Sequence, residues 1–159
     1  MTTSPEAITA YLHEHIPITA HLGVRVEVWD GETVRLAAPL EPNLNHRCTA
    51  FGGSLSALAI LAGWTVLHLK LRAAGLRCRL VIQKSAFDFV EAVESDFAAV
   101  CQAPAEESWT RFVTTLRRRG RARIRLQAKV ETAAGDPGGH YEGSYVALLG
   151  AEGSRQQKV

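Results

Sequence analysis

The chain has 159 residues, of which 47% are hydrophobic and 21% charged, and its formal net charge is +2. This size and composition indicate one globular domain with a buried core. A charge so close to zero does not require nucleic acid as a partner, and we expect none. A polyanion-binding role would need a local cluster of basic residues.

The chain contains three cysteines, Cys48, Cys78 and Cys101. Their number is odd and no pair has the spacing of a metal site, so we expect no metal and no other cofactor. We predict that all three are packing residues. The N-terminus lacks the basic start and apolar run of a signal peptide, and these features together favour a cytoplasmic protein.

The first predicted elements are a helix and a hairpin. Ser4 can cap the helix, Pro5 suits its first turn, and Glu6 suits the positive end of its dipole. Two alternating runs then follow at 24–28 and 33–36, separated by an Asp-Gly turn. Alternation places the three valines of the first run on one face of a strand.

A polar loop at 43–53 leads into a long apolar helix, predicted at 54–73. Apolar side chains surround the axis of this helix, which is typical of a helix buried on nearly all sides. Its most apolar part, 57–69, is shorter than the roughly 20 residues of a membrane span and is followed by Lys70 and Arg72. We therefore expect a core helix, with Trp64 and His68 as packing residues, and no membrane association.

The second half of the chain is predicted to be mostly strands. Strands are expected at 79–89, 96–103, 121–130 and, after a turn at 135–139, at 141–149, with a helix at 105–119. About six strands beside one buried helix predict an α+β fold, in which an antiparallel sheet of five to six strands wraps around the helix. We expect residues 1–150 to form this single domain and 151–159 to be a disordered tail.

The segment Asn45-His46-Arg47-Cys48-Thr49-Ala50-Phe51-Gly52-Gly53-Ser54-Leu55 resembles the loop-to-helix motif of hot-dog proteins. Three further blocks, at 80–97, 109–124 and 143–148, occur in the order found in one family of that fold. The chain is thus similar, over most of 15–149, to the hot-dog thioesterase family related to the C-terminal domain of YiiD. The resemblance implies a hot-dog fold, an acyl-CoA or acyl-carrier-protein substrate, and an active site at the interface of a homodimer or tetramer.

Thioester hydrolysis needs a place for the negative charge that develops on the carbonyl oxygen. The start of a helix supplies free N–H groups and a partial positive charge, and Gly52 and Gly53 would let a carbonyl approach closely. The alternative is that these glycines only form a tight turn. Thr49, Phe51 and Ser54 complete the expected substrate-binding segment, although either hydroxyl could instead cap the helix, and capping is favoured for Ser54.

The reaction also needs an activated water or a nucleophile. His46 is the preferred base because an imidazole can exchange protons near neutral pH; the alternative is a surface histidine. Asn45 could orient a water or stabilise a turn. Many hot-dog enzymes carry an acid on the central helix, and none occurs here between Ser54 and Lys70. Asp88 could supply that acid to a neighbouring subunit, or could simply face outward.

A basic cluster extends from position 117 to 129. Arg119, Arg121 and Arg123 could contact the phosphates of CoA or an acidic carrier protein. The alternative is a solvated strand face. Nucleic-acid binding is disfavoured because no aromatic residues interleave with the arginines. Two functions are therefore favoured: hydrolysis of an acyl-CoA or acyl-carrier-protein thioester, and non-catalytic binding or assembly by a module that has lost the acid. A basic nucleic-acid-associated protein is the third and weaker alternative.

Overall fold

The computed structural model describes residues 3–150, so the tail predicted at 151–159 lies outside the described residues. The helices are α1 (Pro5–His15), α2 (Ile18–His21), α3 (Gly52–Ala73) and α4 (Glu106–Arg119). The strands are β1 (Arg25–Trp29), β2 (Thr33–Ala38), β3 (Cys78–Phe89), β4 (Phe97–Gln102), β5 (Arg121–Thr132) and β6 (Pro137–Leu149). The strands form one antiparallel sheet in the order β1-β2-β4-β5-β6-β3.

The core lies between α3 and the face of the sheet that curves around it. Leu58, Val66 and Leu67 of α3 are fully buried. On β5, exposed and buried side chains alternate, so the even-numbered residues from 122 to 130 face the helix. The six-stranded sheet around one long helix confirms the predicted α+β hot-dog fold.

By length and composition alone, α3 could cross a membrane. However, 61% of its most apolar window is buried inside the structure. A mostly buried helix of this kind is typical of a protein core, as the sequence predicted.

The N-terminal end of α1 follows the predicted capping signals. Ser4 is the N-cap, and its Oγ accepts a hydrogen bond from the Ala7 N–H at 3.2 Å. Gly120 ends α4 in the left-handed conformation, with φ of 72°, which suits a residue without a Cβ. Local chemistry therefore fixes these two helix ends.

The first predicted strand differs from its pattern at one point. Val24 and Val26 are buried, but Val28 is 37% exposed. A bulge between Val26 and Val28 shifts the register with β2, and an inserted residue reverses the facing of the residues beyond it. The prediction that the three valines share one face was wrong for this reason.

The last strand begins earlier than predicted. The turn is centred on Gly135, with φ of 90°, and β6 starts at Pro137. Gly138 and Gly139 therefore lie in the strand. A Cβ at Gly139 would lie 2.3 Å from Phe87 Cε1, so the packing of that ring, rather than a turn, explains this glycine.

Four aromatic rings stack between α1 and the second half of α3. The centroids of Trp64 and His68 lie 4.6 Å apart, those of His68 and Tyr11 5.0 Å, and those of Tyr11 and His15 4.0 Å. Trp64 Nε1 also donates to the Leu80 carbonyl at 3.1 Å. These contacts are the packing role predicted for Trp64 and His68.

Burial, together with the nearby charges of Arg72 and His15, lowers the pKa of His68 to about 4. Between about pH 4 and the ordinary histidine value of about 6.5, the unfolded chain therefore binds a proton that the folded chain does not. The free energy of unfolding should fall as the pH drops through this window. The expected loss is about 1–2 kcal/mol, discounted because the ring is partly exposed.

We expect the variant His68→Phe to keep the stack and to remove this pH dependence. Chemical denaturation at pH 7 and pH 4.5 measures the difference. Trp64→Phe is the matched control, because it alters the same stack but keeps His68, and its pH dependence should match that of the wild type. An unchanged pH dependence in His68→Phe would contradict the prediction.

Candidate active site

The loop before α3 is held in shape by Asn45. Its Oδ1 accepts hydrogen bonds from the N–H groups of Arg47 at 2.8 Å and Thr49 at 3.2 Å, and its Nδ2 donates to Thr49 Oγ1 at 2.8 Å. A backbone bridge between Leu44 and Ala50 closes the loop. Both ends of the Asn45 amide are thus engaged, which favours the turn-stabilising alternative over the orientation of a water.

The first turn of α3 has free backbone donors. Phe51 is the N-cap, and no side chain caps the helix. The Phe51 carbonyl accepts from the N–H groups of Ser54 at 2.9 Å and Leu55 at 3.2 Å. Within residues 3–150, the N–H groups of Gly52 and Gly53 have no acceptor. Capping by Ser54 was a wrong prediction, because Ser54 already lies inside the first turn.

Close packing explains why positions 52 and 53 are glycine. Neither residue has a positive φ, so the turn itself does not require glycine. A Cβ at Gly52 would lie 3.1 Å from Phe89 Cε1, and one at Gly53 would lie 2.3 Å from Phe51 Cε1. The alternative of a tight turn alone therefore does not account for the pair.

Two phenylalanine rings lie against this helix start, and a third packs against one of them. Phe51 is 55% exposed and Phe89 is 59% exposed, and the Phe89 centroid lies 4.6 Å from that of Phe87. Exposed aromatic rings beside free N–H groups combine an apolar surface with hydrogen-bond donors, as ligand sites commonly do. The sequence reasoning missed Phe89, although its position one residue after Asp88 was a signal that one of the two must face the helix.

Asn43 also positions the start of α3, and the sequence analysis did not identify it. It is buried, and its Nδ2 donates to the carbonyls of Leu22 at 2.9 Å and Pro39 at 2.7 Å. The backbone carbonyl of Asn43 accepts a hydrogen bond from the Phe51 N–H at 2.7 Å. Asn43 thereby ties the N-cap of α3 to two other loops, a role that depends on contacts no local pattern reveals.

The predicted base, His46, lies at the exposed tip of the loop. It makes no hydrogen bond to another residue in the described range 3–150. The helix α3 offers no carboxylate as an alternative base, because it contains neither Asp nor Glu. His46 is therefore a titratable side chain of this loop that remains free to contact a ligand.

Asp88 lies on the other face of the sheet. It is opposite His140 on β6, and it lines a groove with Arg125, Lys129 and His140. Phe89, the next residue, packs against Gly52 on the helix side. Within one subunit, Asp88 thus faces away from the free N–H groups.

The three arginines proposed as phosphate contacts do not converge on the helix start. Arg119 ends α4, and Arg121 and Arg123 project from β5 on the face opposite the core. None of the three forms an ion pair with another residue between 3 and 150. They form an exposed basic strip that is free to bind anions.

Two of the cysteines are packing residues, as predicted, and one is not. Cys78 and Cys101 are buried, whereas Cys48 is exposed in the loop with φ of 61°. Burial raises the pKa of Cys101 to about 12, so its thiol stays protonated near neutral pH and is a poor nucleophile. The packing prediction for Cys48 was wrong because the loop turns its side chain to solvent.

The chain as a whole resembles known proteins. The family described as "Putative thioesterase (yiiD_Cterm)" matches residues 5–149. A protein of unknown function from Chlorobaculum tepidum has 32% identity and a TM-score of 0.86, covering 92% of this chain and 98% of its own.

Two thioesterase structures share the fold at lower identity. A "putative thioesterase" from Shewanella oneidensis has 20% identity and a TM-score of 0.79, covering 91% of this chain and 96% of its own. A thioesterase from Haemophilus influenzae has 13% identity and a TM-score of 0.74, covering 99% of this chain and 97% of its own. These two likenesses concern the architecture.

Proposed function

The chain belongs to the thioesterase family of the YiiD C-terminal domain, and from this premise we propose that it hydrolyses an acyl-CoA or acyl-carrier-protein thioester at the start of α3. The observation that carries the proposal is the pair of unbonded N–H groups at Gly52 and Gly53 beneath exposed phenylalanine rings. Donors placed in this way stabilise an oxyanion more strongly than a neutral carbonyl.

In the proposed reaction, the substrate carbonyl oxygen accepts hydrogen bonds from Gly52 and Gly53. A water molecule attacks the carbonyl carbon, and His46 takes its proton. The tetrahedral intermediate then collapses, the carbon–sulfur bond breaks, and the proton passes to the departing sulfur. The products are a carboxylic acid and a free thiol. Asn45 and Thr49 keep the loop that carries His46 in shape.

The phosphates of CoA, or the acidic surface of a carrier protein, are proposed to bind the exposed strip of Arg119, Arg121 and Arg123. Guanidinium groups suit this task because they form charge-assisted, paired hydrogen bonds to phosphate. The absence of internal ion pairs for these arginines within residues 3–150 supports this role. A pantetheine thioester without phosphates should then have a higher KM than the matching CoA thioester.

A second candidate function is non-catalytic binding of an acyl thioester. It is favoured by one observation, the lack of any carboxylate along α3. Hydrolysis of a panel of short, long and aromatic acyl-CoAs distinguishes the two functions. Because Cys48 is exposed, product thiol should be measured against an enzyme blank or in Cys48→Ser. Saturable binding without turnover would favour the second candidate.

We also propose that the active unit is a homodimer joined through β3. This strand forms one edge of the sheet, is 12 residues long, and has mostly exposed side chains. The strand has exposed apolar side chains at Ile82 and Phe89, and Val90, which follows the strand, is also exposed. An exposed, apolar edge strand favours pairing with a second copy. Such pairing would place residues of the partner subunit beside the start of α3.

The two sheet edges offer a matched test of this dimer. Ile82 on β3 is 38% exposed, and Val28 on the opposite edge strand β1 is 37% exposed. We expect Ile82→Glu to weaken dimerisation by at least about 100-fold, because a charge would be buried in the interface without a partner. Val28→Glu should leave the dimer intact. Light scattering at micromolar concentration measures both, and a monomeric wild type would refute the dimer.

A further inference from the structure

A second large groove lies at the opposite end of α3 from the glycine pair. It has a volume of about 940 Å³ and is formed by α1, the β1–β2 turn, the second half of α3, and α4. Gly52 and Gly53 do not line it. At 1.5 Å per residue, His68 is about 24 Å along the helix from Gly52. The groove is therefore separate from the proposed thioester site.

The groove brings together the tryptophans of the chain. All three tryptophans, Trp29, Trp64 and Trp109, line it, together with Tyr11 and His68. These residues come from β1, α1, α3 and α4, so the fold brings them together from distant parts of the sequence. The three tryptophans are only partly buried, which leaves ring surface available to a flat ligand.

Two cations, Lys70 and Arg72, and one carboxylate, Asp30, line the groove. Lys70 Nζ lies 5.4 Å from the centroid of Trp109 and 3.4 Å from Glu32 Oε1. Arg72 has no acidic partner among the described residues. The Asp30 Oδ1 accepts hydrogen bonds from the N–H groups of Glu32 at 2.9 Å and Thr33 at 2.7 Å, so this carboxylate is held in its own turn. A free guanidinium beside exposed rings is thus the polar feature that would select a ligand.

We infer that this groove binds a flat aromatic anion, whose rings stack among the tryptophans and whose negative group pairs with Arg72. Its size is within the usual range for sites that enclose small molecules, roughly 300–1,000 Å³. Cation–π and stacking contacts supply the affinity for the rings. The free guanidinium supplies the preference for an anion.

The probe for this site is 1-anilinonaphthalene-8-sulfonate, which carries aromatic rings and one sulfonate. Binding should quench tryptophan emission and transfer energy to the dye, because every tryptophan lies in the groove. The uncharged analogue N-phenyl-1-naphthylamine tests the charge, and we expect it to bind about fivefold more weakly. Arg72→Gln should remove this difference. Equal affinity of the two dyes for the wild type would overturn the assignment of an anion.

A pair of variants on α1 tests the location. Ala7 lines the groove and Ala10 does not, although both are exposed. Ala7→Phe should fill the groove and weaken dye binding by at least about tenfold, whereas Ala10→Phe should bind like the wild type. Undiminished binding to Ala7→Phe would overturn the proposal. So would a change of molar mass in Ala7→Phe, which would identify the groove as a contact between copies.

Discussion

Gly53→Val should lower the rate of thioester hydrolysis by about 10²–10³-fold, the effect of losing an oxyanion donor. The branched side chain would stand where the Phe51 ring now lies, since even a Cβ would come within 2.3 Å of that ring. The displaced ring and the new methyl groups would cover the N–H groups of the first turn. Initial rates with the best acyl-CoA substrate measure the effect.

The variant should nevertheless fold. Phe51 is 55% exposed, so its ring can move into solvent with little loss of packing. Gly53→Ala is the graded control and should lose less activity than Gly53→Val. Circular dichroism and the melting temperature report on the fold. A folded Gly53→Val with full activity would exclude an oxyanion role for this turn.

His46→Ala should lower the hydrolytic rate by about 10²–10⁴-fold, the usual cost of removing a general base. Because the side chain is exposed and makes no hydrogen bond to another residue in 3–150, the melting temperature should hardly change. The loss should appear in kcat, since the base acts in the chemical step. Steady-state kinetics of the purified variant give both constants.

Asp88→Asn is the matched comparison, since it removes a charge while keeping size and hydrogen bonding. Asp88 faces the outer groove with Arg125 and His140, so it can act only on a substrate held by a partner subunit. If His46 is the base, Asp88→Asn should keep nearly the wild-type rate. If Asp88→Asn lost most of the hydrolytic rate and His46→Ala did not, the Asp88 carboxylate would be the general base instead of His46. Full activity in both variants would mean that neither side chain is the base and that catalysis depends on positioning by the backbone.

The sequence by itself determined the features that local chemistry controls. Capping by Ser4, the end of α4 at position 119 and the start of β5 at position 121 each appear in the structure where the pattern predicted them. The apolar surface of α3 likewise required burial on nearly all sides. Such features depend on neighbours within a few residues, so periodicity and propensity are sufficient to find them.

Contacts between distant segments decided which residues meet at the candidate site and in the groove. Asn43 reaches the loops at Leu22 and Pro39, and the three tryptophans meet from separate elements. No spacing along the chain predicts these contacts, because they depend on the path of the chain around α3. The sequence identified the segment 45–54, including Phe51, as the candidate site, but not Phe89, which reaches it from β3.

The position of Asp88 was decided by a single extra residue. Cys78 and Leu80 face the helix at the start of β3, and simple alternation would place Asp88 on that same face. The register with β6 instead shifts between Ile82 and Lys84. Such a bulge reverses the facing of every residue after it, so Phe89 covers the glycines and Asp88 faces outward. Only the pairing of β3 with β6 in the tertiary structure could decide this.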